Sequence, residues 1–123
     1  MKEIDWSSLS FGYMKTDYNV RCWYRDGAWG EIEVSSEETL NIHIAATCLH
    51  YGQEAFEGLK AYRCPDGKVR VFRMDENAAR LQSTCRGIMM PELPTELFEE
   101  MVAKVVKLNE AYIPPYESGA SLY

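Results

Sequence analysis

Between Leu49 and Tyr62 the sequence reads Leu49-His50-Tyr51-Gly52-Gln53-Glu54-Ala55-Phe56-Glu57-Gly58-Leu59-Lys60-Ala61-Tyr62, an order of aromatic, glycine and acidic residues that strand formation alone does not require. An extended backbone sends successive side chains to opposite faces. Phe56, Gly58, Lys60 and Tyr62 would then share one face, and Ala55, Glu57, Leu59, Ala61 and Arg63 the other. The first face is aromatic and cationic around a residue without a side chain. Glycine inside a strand gives up packing and chain entropy, and its usual reason is a bulge or the close approach of a ligand or second backbone. Gly58 is the candidate for such an approach. Residue types alone favour an ordinary sheet with Tyr62 in a core and Lys60 snorkelling to water, so the pattern nominates a face without naming its chemistry. Glu57, next to Gly58, can steady the turn there, and nothing supports it as a general base. His43 and His50 lack metal-ligand spacing and read as structural or surface residues.

The elements that must position this face are legible. Asn19 to Tyr24 and Trp29 to Val34 flank Asp26-Gly27, a hairpin signal because glycine accepts positive φ and aspartate tolerates it. Phe56 to Arg63 and Val69 to Arg73 repeat the device around Pro65-Asp66-Gly67, and Leu40 to Ile44 alternates weakly as a further short strand. From Asp75 the period becomes helical: Ala78, Leu81, Cys85 and Ile88 form a stripe, with Asp75 expected to cap the start and Gly87 to end the helix in the left-handed conformation. Thr95 is expected to cap a second helix whose buried stripe is Phe98, Met101, Val102, Val105, Leu108 and Tyr112, stopped by Pro114-Pro115. The expected fold is α+β, an antiparallel sheet built from hairpins with two helices packed on one face.

At 123 residues the chain is one domain, large enough to bury roughly two thirds of its unfolded surface. A 46% hydrophobic share argues against disorder. A formal net charge of −6 opposes nucleic-acid binding, which depends on clustered cations. No run approaches the roughly 20 apolar residues of a membrane helix, and the N-terminal residues are too polar for a signal peptide. Cys22, Cys48, Cys64 and Cys85 lie at irregular spacings that signal neither a zinc site nor a redox motif, and read as free thiols in a reducing compartment. A cytoplasmic protein with neither nucleic-acid nor membrane partners is expected.

Tyr51 through Tyr62, then Asp66-Gly67-Lys68-Val69-Arg70-Val71-Phe72-Arg73, then Glu76-Asn77-Ala78-Ala79-Arg80-Leu81, then Met90-Pro91-Glu92-Leu93-Pro94, and finally Pro114-Pro115-Tyr116, Gly119 and Ser121-Leu122-Tyr123, resemble the branched-chain amino acid aminotransferases. These are fold-type IV enzymes that use pyridoxal phosphate. The resemblance implies that residues 1–123 are the small N-terminal domain, ending before the lysine-bearing C-terminal domain and inactive alone. It implies transfer of the amino group of leucine, isoleucine or valine to 2-oxoglutarate in a ping-pong cycle, by an intact homodimer. Other fold-type IV enzymes, a D-amino acid aminotransferase or an aminodeoxychorismate lyase, match the Gln53 to Lys60 block less closely. A non-catalytic α+β binding module is the alternative of a different class.

The same resemblance assigns residues. Arg80, in Asn77-x-x-Arg80-Leu81, takes the place of the phosphate-binding arginine, a task suited to a permanently charged planar fork. Periodicity alone leaves Arg73 and Arg86 as equal choices, since Arg80 stands about 120° round the helix from the apolar stripe. Tyr51 and Phe56, and Phe11 with them, match walls of the substrate side-chain pocket, the tyrosine offered to the neighbouring subunit's site. Apolar walls favour branched aliphatic side chains by removing their surface from water. Tyr123 matches a tyrosine that helps receive the distal carboxylate of glutamate or 2-oxoglutarate. Lys60 is not the catalytic lysine: the family places that residue elsewhere, and nothing near Lys60 supplies a pocket that would lower an amine's pKa.

Overall fold

The computed structural model describes residues 3–123. Strands β1 (Asn19–Arg25) and β2 (Ala28–Ser35) form the first hairpin, with Tyr24 opposite Trp29 and the register shifted between Cys22 and Tyr24. Asp26 and Gly27 both have positive φ, 51° and 81°, the paired left-handed residues that a tight turn needs if it is to follow the right-handed strand twist. The Tyr24 and Trp29 rings meet edge to face across it, 5.1 Å apart.

The second hairpin, β3 (Ala61–Arg63) and β4 (Val69–Val71), is shorter than its alternation suggests. Residues 53–60 keep the alternation, with odd-numbered side chains half-buried and even-numbered ones exposed, but among the described residues no strand lies alongside to complete a ladder. A single antiparallel bridge, Ala61 to Leu122, brings the end of the chain against β3. The hairpins therefore form two separate two-stranded sheets. Leu40 to Ile44 is not a strand: its apolar side chains are exposed, and weak alternation without a surface to cover does not hold an extended conformation. It leads instead into a short helix, α1 (Thr47–His50).

Helix α2 (Met74–Gly87) and helix α3 (Thr95–Leu108) pack against each other, and α3 lies on β1. The α2 stripe is as expected, with Ala78 and Cys85 buried and Leu81 and Ile88 half-buried. The caps differ. Arg73 holds the N-cap position in the left-handed region with no side-chain cap bond, because Asp75 is already inside the first turn and pairs with the Arg73 guanidinium at 3.3 Å. At the other end Gly87 is the last helical residue, and the left-handed position falls on Met89, φ 59°. Thr95 is likewise the first residue of α3 and does not cap it; its hydroxyl accepts from Gln82 Nε2 at 3.4 Å. Tyr112 belongs to a separate 3-10 turn, Glu110–Tyr112.

The buried centre consists of Ala61, Ala78, Cys85, Phe98, Tyr112, Ile113, Pro114 and Asn109. Asn109, 2% exposed, uses its whole amide: Nδ2 donates to the carbonyls of Tyr18 (2.8 Å) and Val105 (2.9 Å), and Oδ1 accepts from the N–H groups of Asp17 (3.1 Å) and Tyr18 (3.0 Å). The Tyr112 hydroxyl donates to Asp17 Oδ1 at 2.8 Å. This lock fastens the entry to β1 onto the exit from α3.

The core is smaller than the length allows. The accessible surface is 9190 Å², where size scaling gives about 6,700 Å² for a free-standing protein of this mass. Folding thus hides about 55% of the unfolded chain's surface by the same scaling, not two thirds. Among the described residues Phe11, Tyr13, Ile44, Tyr51, Phe56, Phe72, Met89 and Tyr123 are each at least 75% exposed.

Candidate functional site

The segment that enters the site is fixed from α1 onward. Tyr51 N–H donates to the Thr47 carbonyl at 2.8 Å, and Gly52 takes φ 62°, a turn that only a residue without Cβ makes at no steric cost. Gln53 then ties the segment down: its Nε2 donates to the carbonyl of Ile88 at 2.9 Å and its Oε1 accepts from Thr47 Oγ1 at 2.7 Å. Tyr51 is left standing outward, 84% exposed. The histidines hold the turn before α1. His43 Nδ1 accepts from the Ala45 N–H at 3.0 Å and His50 Nε2 pairs with the Ile44 carbonyl at 2.6 Å.

From Gln53 the alternation sends Phe56 outward and Glu57 inward towards α2. The Glu57 side chain, 6% exposed, meets Arg80 one and a half turns along that helix. Arg80 Nε donates to Oε1 at 2.8 Å and Nη2 to Oε2 at 2.6 Å, the two-point fork typical of guanidinium and carboxylate. Asn77 Nδ2 donates to the same Oε2 at 2.7 Å and reaches the Gly58 carbonyl at 3.3 Å. The Arg80 pairing holds the Glu57 carboxyl below its ordinary value against the opposing effect of burial, with Asn77 adding to it. The reciprocal contact raises the Arg80 guanidinium further, so both stay charged.

Tyr123 arrives from the opposite direction. The Leu122 to Ala61 bridge delivers its ring over Gly58, where an added Cβ would stand 3.7 Å from Cε2 and 3.8 Å from the hydroxyl oxygen. A Cβ there would make only ordinary van der Waals contact, so the ring does not require the glycine, and what meets Gly58 is a side chain rather than the expected ligand or second backbone. Adjacent residues of one segment therefore meet different partners, Glu57 meeting Arg80 and Gly58 meeting Tyr123, with Phe56 next along the chain and 83% exposed. Phe11 is not drawn in: it lies fully exposed at a bend, and among the described residues no hydrogen bond or bridge links that bend to residues 51–62. Two concavities, of about 370 and 220 Å³, lie elsewhere, lined by residues such as Tyr18, Arg21 and Glu38 in one and Ile4, Leu9 and Met14 in the other. None of Phe11, Tyr51, Phe56, Arg80 and Tyr123 lines either.

No protein-family model matches the chain. Individual relatives do. It is 50% identical over 123 residues to the branched-chain-amino-acid aminotransferase of Haemophilus influenzae, covering 100% of this chain and 36% of that protein. With the Helicobacter pylori protein of the same name the identity is 46% over 123 residues, again 100% and 36%. With the one from Mycolicibacterium smegmatis it is 43% over 124 residues, 100% and 34%.

Over its whole length the chain is a homologue of branched-chain-amino-acid aminotransferases.

It spans about a third of the length of these aminotransferases, matching their N-terminal part. Aminotransferases as a class take amino acids and 2-oxo acids and depend on pyridoxal phosphate. At Arg80 two of the five guanidinium N–H groups are engaged by Glu57, and the other three, with no acceptor among the described residues, are donors of the kind that suit an anionic oxygen. The side chain is 68% exposed. What sequence reasoning undervalued is Glu57 with Asn77. The signal was present, since a carboxylate on the packed side of an alternating segment needs a partner.

Proposed function

We propose that residues 1–123 act as the small N-terminal domain of a branched-chain amino acid aminotransferase, one half of a cleft whose other half carries the catalytic lysine. The intact protein would transfer the amino group of leucine, isoleucine or valine to 2-oxoglutarate, as a cytoplasmic homodimer. Pyridoxal phosphate, when bound, supplies the aldehyde and the electron sink for amino transfer. The chain's own residues hold and orient. Arg80 offers its unengaged edge to the phosphate. Tyr51, Phe56 and, from its separate bend, Phe11 supply apolar wall, and burial against such a wall contributes about 1.5–3 kcal/mol for a branched aliphatic side chain. The Tyr123 hydroxyl offers a hydrogen bond to the distal carboxylate of the acidic substrate.

The observation that carries this reading is the Arg80 guanidinium, open on one edge and anchored on the other by Glu57, on the same short segment whose Gly58 meets Tyr123. The excess exposed apolar surface supports the half-cleft: Phe56 and Tyr123 are walls without an opposite side. The test is turnover by the full-length protein. Glutamate formation from leucine and 2-oxoglutarate, with D-alanine inert, is the expected result; turnover of D-alanine in place of leucine would move the protein to another branch of the fold. Arg80→Ala in the full-length protein should weaken cofactor retention by at least about tenfold while shifting thermal unfolding little, and unchanged retention would remove Arg80 from the phosphate site.

A further inference from the structure

We infer that Glu57 is a positioning residue that sets the orientation of Arg80 towards a phosphate-bearing ligand; the inference rests on Arg80 being the phosphate ligand proposed above. Its basis is an asymmetry among the ion pairs. In Arg73 with Asp75, Arg70 with Asp66 and Arg86 with Glu92 both side chains are well exposed, 56% and 59%, 52% and 48%, 59% and 41%. In the Arg80 pair the acid is 6% exposed and the base 68%. A pair whose only role is surface charge has no reason to submerge one member, because desolvating a carboxylate is costly unless every lone pair is used.

The bonds specify an orientation. Glu57 takes the side edge of the guanidinium, Nε and Nη2. That leaves the end edge, Nη1 and the second Nη2 hydrogen, facing away from the carboxylate with the geometry to receive two oxygens of a phosphate. Asn77 braces Glu57 from the same helix and touches the Gly58 carbonyl, so the guanidinium plane is referenced to the peptide beneath Tyr123. An unbraced exposed arginine would have to be ordered when its anion arrives, and a braced one is ordered beforehand.

Simple charge counting predicts the opposite sign. A carboxylate 2.6 Å from the guanidinium repels an incoming phosphate, so neutralising it should tighten binding if charge is all that matters, and weaken binding if orientation dominates. The experiment uses the full-length protein freed of cofactor, titrated with inorganic phosphate by calorimetry and with pyridoxal phosphate by absorbance. Glu57→Gln is expected to weaken both by about tenfold, the order set by an arginine's rotamer entropy, and to add nothing further once Arg80→Ala is present. Glu57→Asp keeps the charge, shortens the reach and should also weaken both, so it carries the test if Glu57→Gln does not fold. Equal or tighter binding in Glu57→Gln, or in Glu57→Asp, while Arg80→Ala weakens it would overturn the positioning role and leave the Arg80 assignment standing. Wild-type affinity in Arg80→Ala would take down both.

Discussion

The Asn109 lock and the face around Phe56 are built on opposite terms. At Asn109 both amide ends are used, four bonds in all, and the neighbouring Ile113 is 3% exposed. Around Gly58 the reverse holds: Phe56, Tyr123 and Tyr51 stand 83%, 75% and 84% exposed, and Arg80, held by Glu57, is 68% exposed with two of its five N–H groups engaged. One region is internally complete; the other presents unmet bonding capacity and apolar area. Satisfied polar groups and enclosed side chains resist change, whereas open groups contribute little to the fold and are available for a ligand or another lobe.

That contrast breaks most visibly at Asn109. Asn109→Ala leaves the Asp17 and Tyr18 N–H groups and the Tyr18 carbonyl without their side-chain partner, the Val105 carbonyl keeping its bond from the residue 109 N–H, and should cost about 3 kcal/mol in urea unfolding of the full-length protein; a loss under about 1 kcal/mol would mean water already reaches the lock. Tyr112→Phe removes the bond to Asp17 and should cost about 1 kcal/mol in the same measurement. Phe56→Ala probes the open face. Its stability should stay within about 0.5 kcal/mol of wild type while the KM for leucine rises, and a large stability loss with unaltered KM would transfer Phe56 to the structural side.

The smallest expected effect is one of pH. The Arg70 guanidinium, helped by the Lys68 N–H, holds the Asp66 carboxyl down at about 2, from an ordinary 3.8. Because the folded value lies below the unfolded one, this pair's contribution is complete above pH of about 3.8 and disappears as the pH falls to about 2. Asp66 is exposed at the turn of the second hairpin, so the effect is slight. The stability gap between wild type and Asp66→Asn should narrow over that interval, and a gap independent of pH would show that the pair is not formed in solution.

Much of this was readable in advance. Asp26-Gly27 forces its turn through local sterics, and the stripes of α2 and α3 follow from 3.6-residue periodicity, so those elements came from chain chemistry alone. The alternation of residues 53–60 was also legible, but the partner at Gly58 was not, since a tyrosine ring stands there in place of a ligand or second backbone. Helix ends were not: the cap expected at Asp75 fell on Arg73 and the left-handed residue expected at Gly87 fell on Met89, two positions away in each case, because Asp75 found a partner in Arg73 and the chain reversed at Met89. The strand at Leu40 to Ile44 failed because alternation without a covering partner has no burial to stabilise it.

The sequence by itself determined which residue types stand on which face of each segment, since that depends only on backbone period and on the steric limits of single residues. Tertiary structure alone decided that Glu57 meets Arg80, that Asn109 receives residues 17 and 18, and that Tyr123 lies over Gly58. Those contacts join positions from 23 to 92 residues apart, and whether such groups meet is fixed by how the helices and hairpins pack, which no local rule encodes.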